Sequence, residues 1–162
     1  MIIKKLSLIL ALVVLTVAGC QEISPEQKQR EIERTKFASK EYAAAAKLAD
    51  NNDPAGFLKL YEIARDDDTY TAEYSEVAGE QLNYLLYSKT ELWIKTFSKI
   101  DLEEFKSYLK ASGIGVTELP KGVASYEQFE EKIFTKLGKI KGDKKEMELI
   151  DFILRLYGRK RH

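Results

Sequence analysis

Apolar residues in this chain recur three and four positions apart, and most such stretches open on a helix-capping residue. Only a helix places residues at that spacing on one face. No run alternates apolar and polar residues in the manner of a half-buried strand. Two of the three prolines follow a capping residue directly, in Ser24-Pro25 and Asp53-Pro54. Proline there occupies the first helical position, where a missing N–H costs least. The expected fold class is all-α, an irregular bundle of about seven helices.

The first helix starts at Ser24, with Gln27 completing a capping box, and is expected to run to about Asp50. Its first half is nearly all Gln, Glu, Lys and Arg. Residues 20–36 therefore read as a lead and a solvated stalk. From there Phe37, Ala38, Tyr42, Ala45, Leu48 and Ala49 form a core-facing stripe, and Ala43 to Ala46 are small enough for close helix contact. Residues 37–112 read as a helical subdomain. Asp53-Pro54 restarts the chain into a short second helix with Phe57, Leu60, Tyr61 and Ile63. A third begins near Thr69 or Thr71 and carries Tyr74, Val77, Ala78, Leu82, Leu85 and Leu86. Ser88-Lys89-Thr90-Glu91 reads as a capping box for a fourth helix with Leu92, Trp93, Ile94 and Phe97. Asp101 caps a fifth with Leu102, Phe105, Tyr108 and Leu109 inward.

Residues 113–124 are the one long non-helical stretch and hold Gly113, Gly115, Pro120 and Gly122. Residues 125–158 read as a C-terminal helical pair on the same core, before a basic tail at 159–162. Ser125 caps the sixth helix, with Tyr126, Phe129, Ile133 and Leu137 on one face. Asp143 caps the seventh, whose apolar arc from Met147 to Leu156 is wide enough to expect a central position. The short middle helices and their two- to four-residue turns resemble α-hairpin repeats of the HEAT or tetratricopeptide type. No repeat period or tetratricopeptide signature accompanies them, so a short solenoid is the alternative to the bundle.

The N-terminus has the parts of an export signal in order. Lys4 and Lys5 precede an apolar run from Leu6 to Leu15, and Ala18 and Gly19 are small residues before Cys20. The apolar stretch is shorter than the roughly 20 residues that span a bilayer. Leu15-Thr16-Val17-Ala18-Gly19-Cys20 resembles the lipobox of bacterial lipoproteins. The resemblance covers these first twenty residues alone. It implies removal of residues 1–19 as a signal peptide, cleavage between Gly19 and Cys20, and a covalent lipid on the Cys20 sulfur. In that family an aspartate after the cysteine retains a Gram-negative lipoprotein at the inner membrane; Gln21 stands there instead, which implies the outer membrane, facing the periplasm, if the host is Gram-negative.

Cys20 is the only cysteine and His162 the only histidine. A lipidated Cys20 leaves no thiol for a disulfide, so the fold must rest on packing. Metal sites built from His and Cys, and catalysis by a His base, lack their residues. Loss of Lys4 and Lys5 with the signal leaves 24 basic against 26 acidic side chains, a net charge near −2 that disfavours a nucleic-acid partner. No cofactor and no metal is expected beyond the lipid.

Other charged runs have structural readings. Asp66-Asp67-Asp68 lacks the alternation and glycine of a calcium loop and suits a helix N-terminus. Glu103-Glu104 and Glu130-Glu131 point about 100° apart on their helices and do not converge. Lys139, Lys141, Lys144 and Lys145 read as a solvated turn, and Arg155, Arg159, Lys160 and Arg161 as a basic helix end. The aromatics crowd the middle of the chain, and Tyr70 and Tyr84 lie off the main stripe. Tyr70, Tyr84, Tyr87 and Trp93 are the candidate partner surface, with a Tyr-rich core as the competing reading.

The function expected from these features is not enzymatic. It is a lipid-anchored helical domain that binds a protein of the cell envelope, as scaffold, assembly factor or immunity-type protein. A periplasmic carrier of a small apolar ligand is the alternative, and a hydrolase relying on carboxylates ranks third.

Overall fold

The computed structural model describes residues 24–159. The signal segment, Gly19, Cys20 and the tail Lys160-Arg161-His162 lie outside the described residues. Among the described residues the chain forms seven helices and no strand. They are α1 (Pro25–Asp50), α2 (Pro54–Ala64), α3 (Ala72–Ser88), α4 (Thr90–Phe97), α5 (Leu102–Ser112), α6 (Tyr126–Lys139) and α7 (Lys144–Leu156).

The chain divides into two units between Glu33 and Arg34. The described part of the first is the beginning of α1. Ser24 Oγ accepts from the Gln27 N–H at 3.2 Å, and Gln27 Oε1 accepts from the Ser24 N–H at 2.9 Å, the reciprocal capping box. Pro25 to Glu33 are all exposed.

In the second unit α1 buries only small residues, Ala38, Ala45 and Ala49. The helix ends in a Schellman turn. Asn52 takes the left-handed conformation at φ 61°, and the Asp53 and Asn52 N–H groups donate back to Leu48 and Ala49 carbonyls. Lys89 Nζ reaches the same end and donates to the carbonyls of Ala49 and Asp50, both at 2.8 Å. It puts a cation where the helix dipole is negative. Asp53 then caps α2 by accepting from the Ala55 N–H at 2.9 Å.

The hub of the core is α4, which packs against α2, α3, α6 and α7. Five of its eight residues are buried. A helix this short is marginal in isolation and exists here through packing. Its Trp93 and Phe97 join Phe105 of α5 and Tyr61 of α2, with ring centroids 4.4 Å apart for Phe97–Phe105 and 5.1 Å for Tyr61–Phe105. The last helix is therefore not the central one. α7 buries Leu149, Ile150, Ile153 and Leu154 on one face, while Leu156 is exposed and Met147 and Phe152 are half-buried. Lys106 and Lys110 of α5 cover the Phe152 ring instead.

The capping box at Ser88 does not form either. α3 continues through Ser88, so this residue is helical and donates its hydroxyl to the Tyr84 carbonyl. Lys89 is the N-cap of α4 and supplies no side-chain acceptor. The predicted caps Asp101, Ser125 and Asp143 do accept first-turn N–H groups, Asp143 in a full capping box with Glu146.

One hydrophobic cluster runs from Ala38 to Leu154 and takes in Ile114, Val116 and Val123 of the long connection. Asn83 Nδ2 donates to the Gly115 carbonyl at 2.7 Å, and Tyr157 hydroxyl accepts from the Ile114 N–H. The connection is thus fastened to the body on both sides. α3 reaches α6, and α4 reaches α7, three elements further along. Such closure is that of a bundle; a solenoid repeat touches only its neighbours.

Candidate functional site

The four aromatic residues expected at a partner surface separate into two pairs. Trp93 is 1% exposed and Tyr70 3%. The Trp93 indole N–H finds its acceptor inside, the Leu82 carbonyl at 3.1 Å, so nothing draws it to the surface. Tyr70 precedes α3 rather than lying on it, and its ring stacks on Phe37 with centroids 5.7 Å apart. Its hydroxyl accepts from Lys59 at 2.7 Å and donates to Glu62 at 2.8 Å. Trp93 and Tyr70 are core residues and offer no face to a partner.

Tyr84 and Tyr87 do stand outward. Tyr84 is 42% exposed and Tyr87 half-buried, with ring centroids 6.4 Å apart. Tyr87 stacks on buried Phe129 of α6 at 5.1 Å, and Lys136 Nζ lies over its ring, 4.7 Å from the centroid. One turn before Tyr84, Glu80 accepts from the Thr117 N–H at 3.1 Å and from its hydroxyl. The Thr117 carbonyl in turn accepts from Tyr126 hydroxyl at 3.0 Å. Glu80 and Tyr87 flank Tyr84 on α3 and both lead to the first turn of α6, where Tyr126 stands 52% exposed. Val77, seven residues before Tyr84 on the same face of α3, is exposed too.

The face therefore consists of Tyr84, Tyr87 and Tyr126 on two helices, anchored by buried Phe129. Helical spacing assigns Tyr126 to the inner stripe of its helix, which the structure corrects. As the first residue of α6 it has no helical turn before it, and its hydroxyl folds back to the connection.

Open clefts mark the surface of the described residues, and three of them bear on the site. Two of about 550 and 470 Å³ adjoin through Arg65 and Tyr108, between α2, α3 and α5. Both are lined with charged side chains, unlike the apolar cavity a lipid-like ligand needs. Two of their carboxyls have displaced pKa values. Glu62 is held below the usual range, chiefly by the hydrogen bond from Lys59, and Asp66 likewise by its hydrogen bonds to Thr69. Both shifts keep the carboxylate charged, the reverse of what a general acid requires. The paired carboxylates of the sequence diverge: Glu104 pairs with Arg65 and Glu103 with Lys106. Among the described residues no His, Cys, Asp or Glu group is arranged to hold a metal. The third cleft, of about 530 Å³, contains Lys89, Lys136 and Lys139 and lies beside the tyrosine face.

Comparison with protein-family models, curated proteins and solved structures finds no match to this chain.

Proposed function

We propose that this chain is a lipid-anchored envelope protein whose helical domain binds another protein through the Tyr84–Tyr87–Tyr126 face, in a scaffold, assembly or immunity-type role. The anchor rests on the lipobox-like run ending at Cys20. The observation that carries the binding role is the exposed tyrosine face. Tyrosine offers large contact area at low entropic cost and keeps a hydroxyl for hydrogen bonding, which is why it is frequent in interface hot spots. Phe129 and Lys136 hold Tyr87 in place, so little ordering remains to be done on binding. The charged clefts give less support to an apolar-ligand carrier.

The test is crosslinking in native membranes with the wild-type chain and with Tyr84→Ala and Tyr126→Ala variants. One specific crosslinked protein should appear with the wild type and be lost in each variant at equal expression. Equal recovery by all three chains would refute this surface.

A further inference from the structure

We infer that the partner presents an acidic segment, an aspartate- or glutamate-bearing stretch of polypeptide, to the lysine cleft beside the tyrosine face. The inference rests on the protein-binding reading above and names the chemistry of the partner.

Three lysines line the cleft of about 530 Å³: Lys89 from the α3–α4 junction, and Lys136 and Lys139 from α6. Glu91 is the one acid among its lining residues, so the cleft carries a net charge near +2. Several other basic side chains are paired with acids: Lys59 with Glu41 and Glu62, Lys106 with Glu103 and Glu148, Arg65 with Glu104, Arg159 with Glu131. Lys89 and Lys136 are instead oriented by backbone carbonyls, those of Ala49 and Asp50 for one and of Tyr87 for the other. Carbonyls position an ammonium without cancelling its charge. An ammonium has three N–H donors, so Lys89 keeps one and Lys136 two for a ligand. The donors are charged and partly fixed, the condition under which hydrogen bonds to carboxylate are strongest.

Lys136 also joins the cleft to the tyrosine face. The same ammonium that lines the cleft lies 4.7 Å from the Tyr87 ring centroid, and Tyr84 follows at 6.4 Å. A segment laid across the tyrosines reaches the lysines without leaving the surface. A carboxylate-bearing polypeptide is favoured over an anionic bilayer because the lysine cleft continues the tyrosine face proposed to bind a protein, through Lys136 and Tyr87.

The experiment uses the full lipidated chain in non-ionic detergent, with fluorescein-labelled hexaglutamate followed by anisotropy. Lys89 is left intact because it holds the end of α1. The double variant Lys136→Gln/Lys139→Gln should bind the peptide about tenfold more weakly, and added salt should weaken the wild type toward the same level. Lys110→Gln, which removes an exposed lysine of α5 that does not line the cleft, should stay within about twofold of the wild type. Unchanged binding in the lysine variant, or none in the wild type, overturns the acidic-segment inference and leaves the Tyr84 crosslinking result standing on its own. Soluble short-chain phosphatidylglycerol is titrated in parallel. Lysine-dependent binding of that lipid without binding of hexaglutamate also overturns the inference, in favour of a headgroup contact.

Discussion

Gly56 meets Ala49 with no room for a side chain: a Cβ built on Gly56 would stand 2.3 Å from the Ala49 nitrogen and 2.6 Å from the Ala45 carbonyl oxygen. The obstacles are backbone atoms, which no rotamer change removes. Gly56→Ala must push α2 away from α1 and should cost on the order of 2–3 kcal/mol. Gly79→Ala is the control. It lies inside α3, its nearest obstacle is Tyr108 hydroxyl at 3.4 Å, and alanine is the better helix former by roughly 0.5–1 kcal/mol. Urea midpoints should therefore move in opposite directions. A Gly56→Ala midpoint equal to the wild type would contradict the α1–α2 contact.

Trp93 is the only tryptophan, and its burial in the hub turns it into an internal reporter. Native emission should be blue-shifted and should move red in one cooperative step with denaturant. Trp93→Phe removes the donor to Leu82 and part of the packing volume, at about 1–3 kcal/mol. The loss should appear in circular-dichroism melts. A variant as stable as the wild type would mean that the indole N–H and the surrounding rings contribute little.

What the sequence made legible follows the range of the interactions involved. Caps are local, so Ser24, Asp53, Asp101, Ser125 and Asp143 were readable from a few adjacent residues. Ser88 failed because α3 runs through it, so that Lys89 alone joins α3 to α4 and Ser88 turns its hydroxyl back to the Tyr84 carbonyl. Tyr84 was visible as a residue off the stripe of its helix. Trp93 is expected at the partner surface and lies in the core, since α4 is apolar on several sides and the choice between core and surface depends on the other helices it packs against. The Gly56 contact needed the partner helix. The lysine cleft unites residues 47 and 50 positions apart, a distance that no local spacing encodes.

The Lys59–Glu62–Tyr70 cluster predicts a pH dependence with a defined sign. Lys59 hydrogen-bonds Glu62 and keeps its pKa below the ordinary value of 4.5. A lowered carboxyl contributes stability that is present above the unfolded value and lost as pH falls through the folded one. Glu62→Gln should thus be less stable than the wild type at pH 7, and the gap should narrow below about pH 4.5. On the alkaline side the signs reverse. Burial pulls Lys59 down, but its bonds to Glu62, Tyr70 and Glu41 outweigh this and raise it; burial raises Tyr70. Both contributions are complete below the unfolded values near pH 10 and fade above them. Urea midpoints from pH 3 to 7 test the acid limb. Parallel curves for the two chains would remove Glu62 from the linkage.

Cys20→Ser tests the anchor separately from the folded body. Each buried acyl CH₂ is worth about 0.8 kcal/mol; one chain gives only reversible attachment, whereas two or more hold firmly. A serine has no thiol to receive the diacylglycerol, so the variant should leave the membrane pellet and lose incorporation of labelled palmitate. The hydrophobic cluster begins at Ala38, so the released chain should keep the wild-type melting midpoint. A released, fully folded chain that no longer crosslinks its partner would mean that the tether supplies binding through local concentration. A variant that still sediments with membranes would show that the lipid on Cys20 is not what holds the protein there.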